Sequence, residues 1–266
     1  MILFSAYALA VLAYLIGGAL QGRALMNKPV CSRNLILMLG LAGAIAQAFS
    51  LSHTLITDNG LRFDFFITAS LIACIIVLLA LASILTRPLE NLLVVIYPMA
   101  ALTVILSALV PAEGQSHEYD PGLDLHIASS MIAYAFFTLA LVQALLLSRQ
   151  NWQLKHHKPS ALTKALPPLM TMEKLLFELI WVGLIFLTIG LGSGFFFVEN
   201  LFVQHLIHKT ILSILAWFIF ATLLVGHYRF GWRSRTAVRW TIGGFVVLML
   251  SFFGTKLVLE YILHRA

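Results

Sequence analysis

Eight apolar runs, each long enough to cross the hydrocarbon core of a membrane, constrain this chain more than any other feature. A membrane-spanning helix needs about 20 mostly apolar residues. The runs cover residues 2–20, 35–53, 65–85, 89–110, 125–148, 176–198, 208–228 and 238–263. Charged residues make up 11% of the chain, against about 25% in soluble domains. The pattern predicts an all-α polytopic membrane bundle of eight transmembrane helices, forming a single domain over residues 1–266 within the lipid bilayer.

The distribution of basic residues between the runs predicts the orientation of the bundle. Of the 17 lysines and arginines, 13 fall in one alternating set of connections, and most acidic residues fall in the other set. The positive-inside rule assigns the basic set to the cytoplasm. Both termini are then expected on the outer, periplasmic side of a bacterial cytoplasmic (inner) membrane. The net charge of +6 is explained by this topology, so no nucleic-acid partner is expected.

Histidines are concentrated at the outer side of this predicted bundle. Neutral imidazole is the commonest transition-metal ligand and a frequent haem ligand. His126 opens the fifth run and His264 closes the eighth on the same face, which makes them candidate iron ligands. His205 and His208 are three residues apart and share a helix face, as expected either for one metal ion or for simple stacking. The histidines with open roles are His53, His117 and His227.

Sequence signatures of other chemistry are missing from the chain. It contains no phosphate-binding glycine loop, no HExxH and no CxxC, so no enzymatic activity is expected. Deep ionisable residues, which mark ion or proton pathways, are nearly absent. Only Gln47 and Gln143 lie deep enough in the runs to serve a transported solute.

Four segments carry a resemblance to a known family. They are LDLHIASSMIAYAFFTLAL (123–141), LFELIWVGLIFLTIGLGSGFFF (176–197), HKTILSILAWFIFATLLVGHYRFGWRSRTAVRW (208–240) and FGTKLVLEYILHRA (253–266). They resemble the histidine-bearing spans of the cytochrome c assembly family, the CcsA/CcmC-type haem-handling membrane proteins. The resemblance covers roughly residues 65–266, and the length and eight runs suit the smaller HemX/YpjD-like branch.

The resemblance implies that a b-type haem, permanent or transient, binds on the outer side. His126 and His264 would be its axial ligands, Lys209 falls at a lysine position of the family, and His205 and His208 would supply polar contacts. The implied partners are haem and an apocytochrome or another membrane protein. The family's tryptophan-rich outer motif is replaced here by GSGFFFVENLFVQHLIHK, which has no tryptophan. Its phenylalanines are Phe195, Phe196, Phe197 and Phe202.

The leading hypothesis is therefore haem handling for cytochrome c assembly or haem homeostasis. One alternative is a membrane partner or regulatory protein without haem chemistry, which would dock through the basic connection 150–174. A less favoured alternative is a small-solute transporter. An electron carrier of the cytochrome b type would need histidine pairs on two spans. It is disfavoured, because only His227 lies within a run on the inner side.

Overall fold

The computed structural model describes residues 2–26, 32–57, 60–110, 116–117, 121–157, 160, 163, 165–197 and 204–254. Within these residues, eight helices are long and apolar enough to cross a membrane, which confirms the all-α polytopic fold. The helices are α1 (Ile2–Leu25), α2 (Arg33–Leu55), α3 (Phe65–Ile84), α4 (Leu93–Leu109), α5 (Pro121–Lys155), α6 (Leu169–Phe197), α7 (Gln204–Phe230) and α8 (Arg235–Met249). A 3-10 turn, Glu90–Leu92, precedes α4, and a π-helical turn, Leu250–Gly254, follows α8.

Helices α5 and α6 extend beyond their apolar runs into the predicted inner connection. The runs end at residue 148 and begin at residue 176, whereas α5 continues to Lys155 and α6 begins at Leu169. Residues 150–155 contain neither glycine nor proline, so nothing in them stops the helix. At the other end, the Pro168 carbonyl accepts a hydrogen bond from the Met172 amide, 3.1 Å away, as α6 begins. Hydropathy therefore located the apolar run of each helix but not its extension, although the extensions also contain buried residues such as Gln153 and Met172.

The chain folds into two compact units: unit 1 comprises residues 1–118 with 158–167, and unit 2 comprises residues 119–157 with 168–266. In unit 1, α1 packs against α2 and α4, and α3 packs against the same two helices.

A small antiparallel sheet, which hydropathy did not predict, joins β1 (Ile56–Thr57), β2 (Gly60–Arg62) and β3 (Ser116–His117) in that order. The single-domain assignment stays a prediction.

A hydrogen-bonded glutamine joins three helices inside unit 1. The Tyr14 hydroxyl of α1 donates to Gln47 Oε1 of α2 at 2.7 Å. The Gln47 amide Nε2 donates in turn to the Ser70 carbonyl and hydroxyl oxygens of α3, at 2.9 and 3.0 Å. Gln47 has no exposed surface, and an unpaired polar group at this position would cost several kcal/mol in hydrocarbon, on the order of 2–7. This deep glutamine therefore serves helix packing.

Glycines in unit 1 allow the tyrosines to reach the backbone of α2. The Tyr97 hydroxyl of α4 donates to the Ile36 carbonyl at 3.0 Å, and Tyr97 is completely buried. A Cβ atom on Gly40 would overlap the Tyr97 hydroxyl, and one on Gly43 would lie 2.7 Å from the Tyr14 ring. Small residues at these positions are the usual device for close helix contact in membranes.

Unit 2 is an antiparallel arrangement of α5 to α8. Helix α5 packs along α6 and against α8, and α7 packs against α6 and α8. The Phe137 ring of α5 stacks on the Phe220 ring of α7, with centroids 3.9 Å apart, and the Tyr134 hydroxyl donates to the Leu248 carbonyl of α8. The starts of α5 and α7 thus meet the ends of α6 and α8. We call this the His126 end of unit 2.

The second deep glutamine, Gln143, lies in unit 2. Its amide Nε2 donates to the Met172 carbonyl of α6 at 3.0 Å, and the side chain is fully buried. Like Gln47, it is engaged in a helix–helix contact, although its Oε1 atom is buried and has no hydrogen-bond partner among the described residues. Both deep glutamines therefore contribute to helix packing, Gln47 through both polar atoms of its side chain and Gln143 through its amide Nε2.

Candidate functional site

His126 lies in the second turn of α5, half-buried against α6. Its Nδ1 atom is 2.6 Å from the Gly190 carbonyl oxygen. A carbonyl oxygen only accepts hydrogen bonds, so the short contact assigns the proton of a neutral ring to Nδ1. The lone pair of that tautomer is on Nε2. Histidines that bind metals almost always donate their other ring N–H in this way, which fixes the ring and raises the basicity of the ligating nitrogen.

The ring of His126 lies against Gly190 and Gly194 of α6, and we call these two residues the glycine seat. A Cβ atom on Gly194 would lie 2.8 Å from His126 Nδ1, and one on Gly190 would lie 2.9 Å from Ser130 Oγ. Any larger residue at position 194 would push the imidazole away from the Gly190 carbonyl. The sequence analysis did not include these glycines in the candidate site. The sequence signal that could have found them is a pair of glycines four residues apart, Gly190 and Gly194, in the helix after the one that carries His126.

Ser193 lies beside the Gly190 carbonyl. Its Oγ atom is 2.8 Å from the Ile189 carbonyl oxygen and 3.1 Å from the Gly190 carbonyl oxygen. A serine hydroxyl has one proton, and the shorter contact makes the Ile189 carbonyl its main acceptor. The Gly190 carbonyl therefore remains available to accept from His126 Nδ1–H.

Lys209 lies at the same end of unit 2, at the start of α7. Its Nζ atom is 4.8 Å from the centroid of the Phe252 ring, in a cation–π contact. Its carbonyl accepts from Ser251 Oγ at 2.8 Å, and Ser251 Oγ is 2.7 Å from Ser213 Oγ. The π-helical turn after α8 thus holds the lysine-bearing turn of α7. The Tyr134 ring lies 5.6 Å from Phe252, which connects the same turn to α5.

Aromatic side chains project from the end of α6. Phe195, Phe196 and Phe197 are 68%, 80% and 54% exposed. The Phe197 ring lies so close to Gly122 of α5 that a Cβ atom there would overlap it. These three phenylalanines begin one residue after Gly194 and form an exposed aromatic surface. The fourth, Phe202, lies outside the described residues.

The other predicted site residues are placed as follows. His208 is exposed on α7, and His205 lies on the same helix, with a side chain outside the described set. His264 lies outside the described residues. No group of three or more histidine, cysteine or acidic side chains able to hold a metal ion occurs in the part of the chain that the structure describes. The two-histidine iron site stays a prediction.

The histidines whose roles were open pack against neighbours. His53 is exposed in unit 1, with its ring edge-on to Phe49 at 4.8 Å. His227 is at the opposite end of unit 2 from His126, stacked on Phe177 at 3.6 Å, and its Nδ1 is 2.9 Å from the Trp232 carbonyl. His117 belongs to β3. These contacts give His53 and His227 structural roles.

The comparisons with known proteins agree with this architecture. The family model for cytochrome C assembly protein matches residues 35–263. This chain belongs to the cytochrome c assembly family. The match begins some 30 residues before the region that carried the resemblance in the sequence, so it spans segments of both units.

Three bacterial proteins are among the relatives of this chain. The chain is 33% identical to the inner membrane protein YpjD of Escherichia coli K12 over 263 residues, which are 96% of this chain and 97% of that protein. It is 32% identical to a 28.8 kDa protein of Azospirillum brasilense over 238 residues, 85% and 84% of the two chains. The protein HemX of Brevibacillus brevis is 24% identical over 131 residues, 48% of each chain.

Family membership and the eight helices identify a multi-pass inner-membrane protein. They also confirm the recognised branch, because YpjD and HemX are both among its relatives. No solved structure matches the chain.

Proposed function

We propose that this protein binds a b-type haem at the His126 end of unit 2 and holds it for cytochrome c assembly or haem homeostasis. The observation that carries the proposal is the hydrogen bond from His126 Nδ1–H to the Gly190 carbonyl at 2.6 Å. This bond assigns the lone pair to Nε2, the arrangement expected of an iron ligand. Membership of a haem-related family supports the same assignment.

The donor set at this end of unit 2 fits such a cofactor. When bound, haem supplies an iron that takes an axial imidazole nitrogen and can change its oxidation state. His126 would supply one axial nitrogen, and His264 is the proposed second ligand. Lys209, half-buried beside Phe252, carries a cation that can pair with a propionate carboxylate. His205 and His208 are proposed for polar contacts around the ring, and Phe195 to Phe197 offer an apolar surface for it.

The protein's own role in this proposal is to hold and orient, so we propose that it is not an enzyme. The glycine seat keeps the imidazole in one orientation, and the Gly190 carbonyl keeps it in one tautomer. The exposed phenylalanines at the end of α6, Phe195 to Phe197, would provide an apolar surface for the flat haem ring. A protein partner, an apocytochrome or another membrane protein, would receive or supply the haem.

The proposal is tested by the absorption spectra of the detergent-purified protein, oxidised and reduced, beside those of a His126→Ala variant. We expect a Soret band with sharp reduced bands in the wild type and its loss in the variant. His156→Ala is the matched control, because His156 is exposed at the opposite end of α5. If neither protein takes up added haem, the ligand assignment is wrong and a membrane partner without haem chemistry becomes the working function.

The predicted orientation has its own test, because the proposal requires the His126 end to face the periplasm. Alkaline phosphatase acquires its disulfides and activity only in an oxidising compartment. Fusion of the enzyme after Leu55, at the end of α2, is expected to be active, and fusion after Lys155, at the end of α5, inactive. The reverse result would place the His126 end in the cytoplasm.

A further inference from the structure

A cavity of about 210 Å³ opens at the end of unit 2 opposite the His126 end. Its wall is made by α5 and α8, through Leu147, Ser148, Asn151, Ser234, Arg235, Val238 and Arg239. A water molecule takes up about 30 Å³ of liquid. The cavity therefore has room for a phosphate group together with the carbon atoms attached to it.

Two arginines give this cavity a positive charge. Arg235 and Arg239 are four residues apart on α8, so they lie on one helix face, and both are exposed. No acidic side chain forms an ion pair with either of them within the described part of the chain. The neighbouring Arg233, by contrast, has Nε 3.7 Å from Glu173 Oε1. The cavity is thus suited to an anion supplied from outside.

The backbone of α8 adds to this positive potential. Ser234 precedes the helix and is of the residue type that usually caps one, but its side chain makes no capping hydrogen bond. Instead, Ser234 Oγ accepts from Asn151 Nδ2 at 2.7 Å, across the cavity wall. The first turn of α8 therefore has no side-chain cap, and the positive end of its dipole faces the same region as the arginines.

The position of the cavity along α5 is the one expected for a site at the membrane surface. Ser148 follows His126 by 22 residues on one helix, a rise of about 33 Å, close to the thickness of the hydrocarbon core of about 30 Å. Trp152, which is 50% exposed, follows the cavity residue Asn151, and tryptophans are enriched at the level of lipid headgroups. Leu147 and Val238 give the cavity an apolar wall beside its polar groups.

We propose that this cavity binds a phosphate group, from the headgroup of an anionic phospholipid or from a free phosphate anion. The arginine forks match phosphate oxygens in a bidentate geometry, and Ser148 and Asn151 offer further polar contacts. The site goes beyond the proposed haem function: it uses a different end of unit 2, and phosphate binding there does not depend on haem.

The test is native mass spectrometry of the detergent-purified full-length chain, titrated with dioleoylphosphatidylglycerol. A basic residue that faces a bound anionic headgroup contributes about one factor of five in affinity, and Arg235 and Arg239 line the cavity, so Arg235→Gln/Arg239→Gln is expected to weaken the tightest binding event roughly 30-fold. The matched control is Arg23→Gln/Arg229→Gln, which removes two exposed charges elsewhere and should leave that event unchanged. Equal losses in both variants, or no loss in the first, would overturn the proposal.

A second variant tests the cavity without changing its charge. Ser148→Leu fills the α5 side and keeps both arginines, so it is expected to weaken the same event. Wild-type lipid affinity in this variant would overturn the proposal, including in the case where the arginine variant does not fold. A parallel titration, in which inorganic phosphate is added to the lipid-bound protein as a competitor, identifies the source of the ligand. Displacement of the lipid at millimolar phosphate assigns a free-anion site, and retention of the lipid assigns a headgroup site.

Discussion

Replacing Gly194 with leucine is expected to lower the affinity for haem by about 10- to 100-fold, the range seen when the orienting partner of a metal-bound histidine is lost. The reason is steric. A Cβ atom at position 194 would lie 2.8 Å from His126 Nδ1, so the ring must leave the Gly190 carbonyl. His126 itself stays in the sequence, and only its orientation and tautomer change. The measurement is a titration of haem into the purified protein, followed by the Soret band.

Gly192→Leu is the control for this effect. It lies two residues away on α6, and a Cβ atom there would meet nothing within 4 Å. It adds the same side chain to the same helix without touching His126, so wild-type affinity is expected. If both leucine variants bind haem like the wild type, the glycine seat has no part in ligand positioning.

Replacing Gln47 with leucine is expected to destabilise the fold by about 2 kcal/mol, which corresponds to a decrease in Tm of about 4–8 °C. The change removes three hydrogen bonds between α1, α2 and α3 and leaves the Tyr14 hydroxyl without its acceptor. Ser52→Ala on the same helix is the control, because Ser52 is exposed and donates only to the Phe49 carbonyl within α2. Tryptophan fluorescence during heating in detergent measures the difference.

The double variant Tyr14→Phe/Gln47→Leu separates the cost of an orphaned hydroxyl from the loss of the network itself. Removing both partners of a buried hydrogen bond costs less than removing one. The double variant should therefore be at least as stable as Gln47→Leu alone. A double variant destabilised relative to the wild type by the sum of the two single changes would show that the two side chains act independently.

Hydropathy predicted the helices because burial in hydrocarbon requires long apolar runs, and each run contains a helix within the described residues. It did not predict the extension of α5 to Lys155, because Gln150, Asn151 and Gln153 interrupt the apolar pattern, although Gln150 and Gln153 are buried in the fold. The small sheet was also missed. Its outer strands, Ile56–Thr57 and Ser116–His117, are only two residues long, and Ser116–His117 pairs with the distant strand Gly60–Arg62. No local pattern marks strands this short.

The candidate site was predicted in part. His126 was found because a histidine at the mouth of an apolar run is costly unless it has a role. Its partners could not be found in the same way, because the Gly190 carbonyl and the missing side chain of Gly194 have no chemical signature in a sequence. Only the packing of α5 on α6 reveals that these glycines lie beside the imidazole. The sequence analysis used Arg235 and Arg239 only to predict the orientation of the bundle. Their position beside one cavity is the basis of the proposed phosphate site.

The most direct test of the central claim, that His126 Nε2 is an iron ligand, is chemical rescue of a His126→Gly variant with imidazole. We expect the variant to lack the Soret band of the wild type and to regain it when millimolar imidazole fills the space left by the side chain. His156→Gly, under the same conditions, should keep its haem with and without imidazole. A His126→Gly protein that binds haem like the wild type before imidazole is added would contradict the assignment.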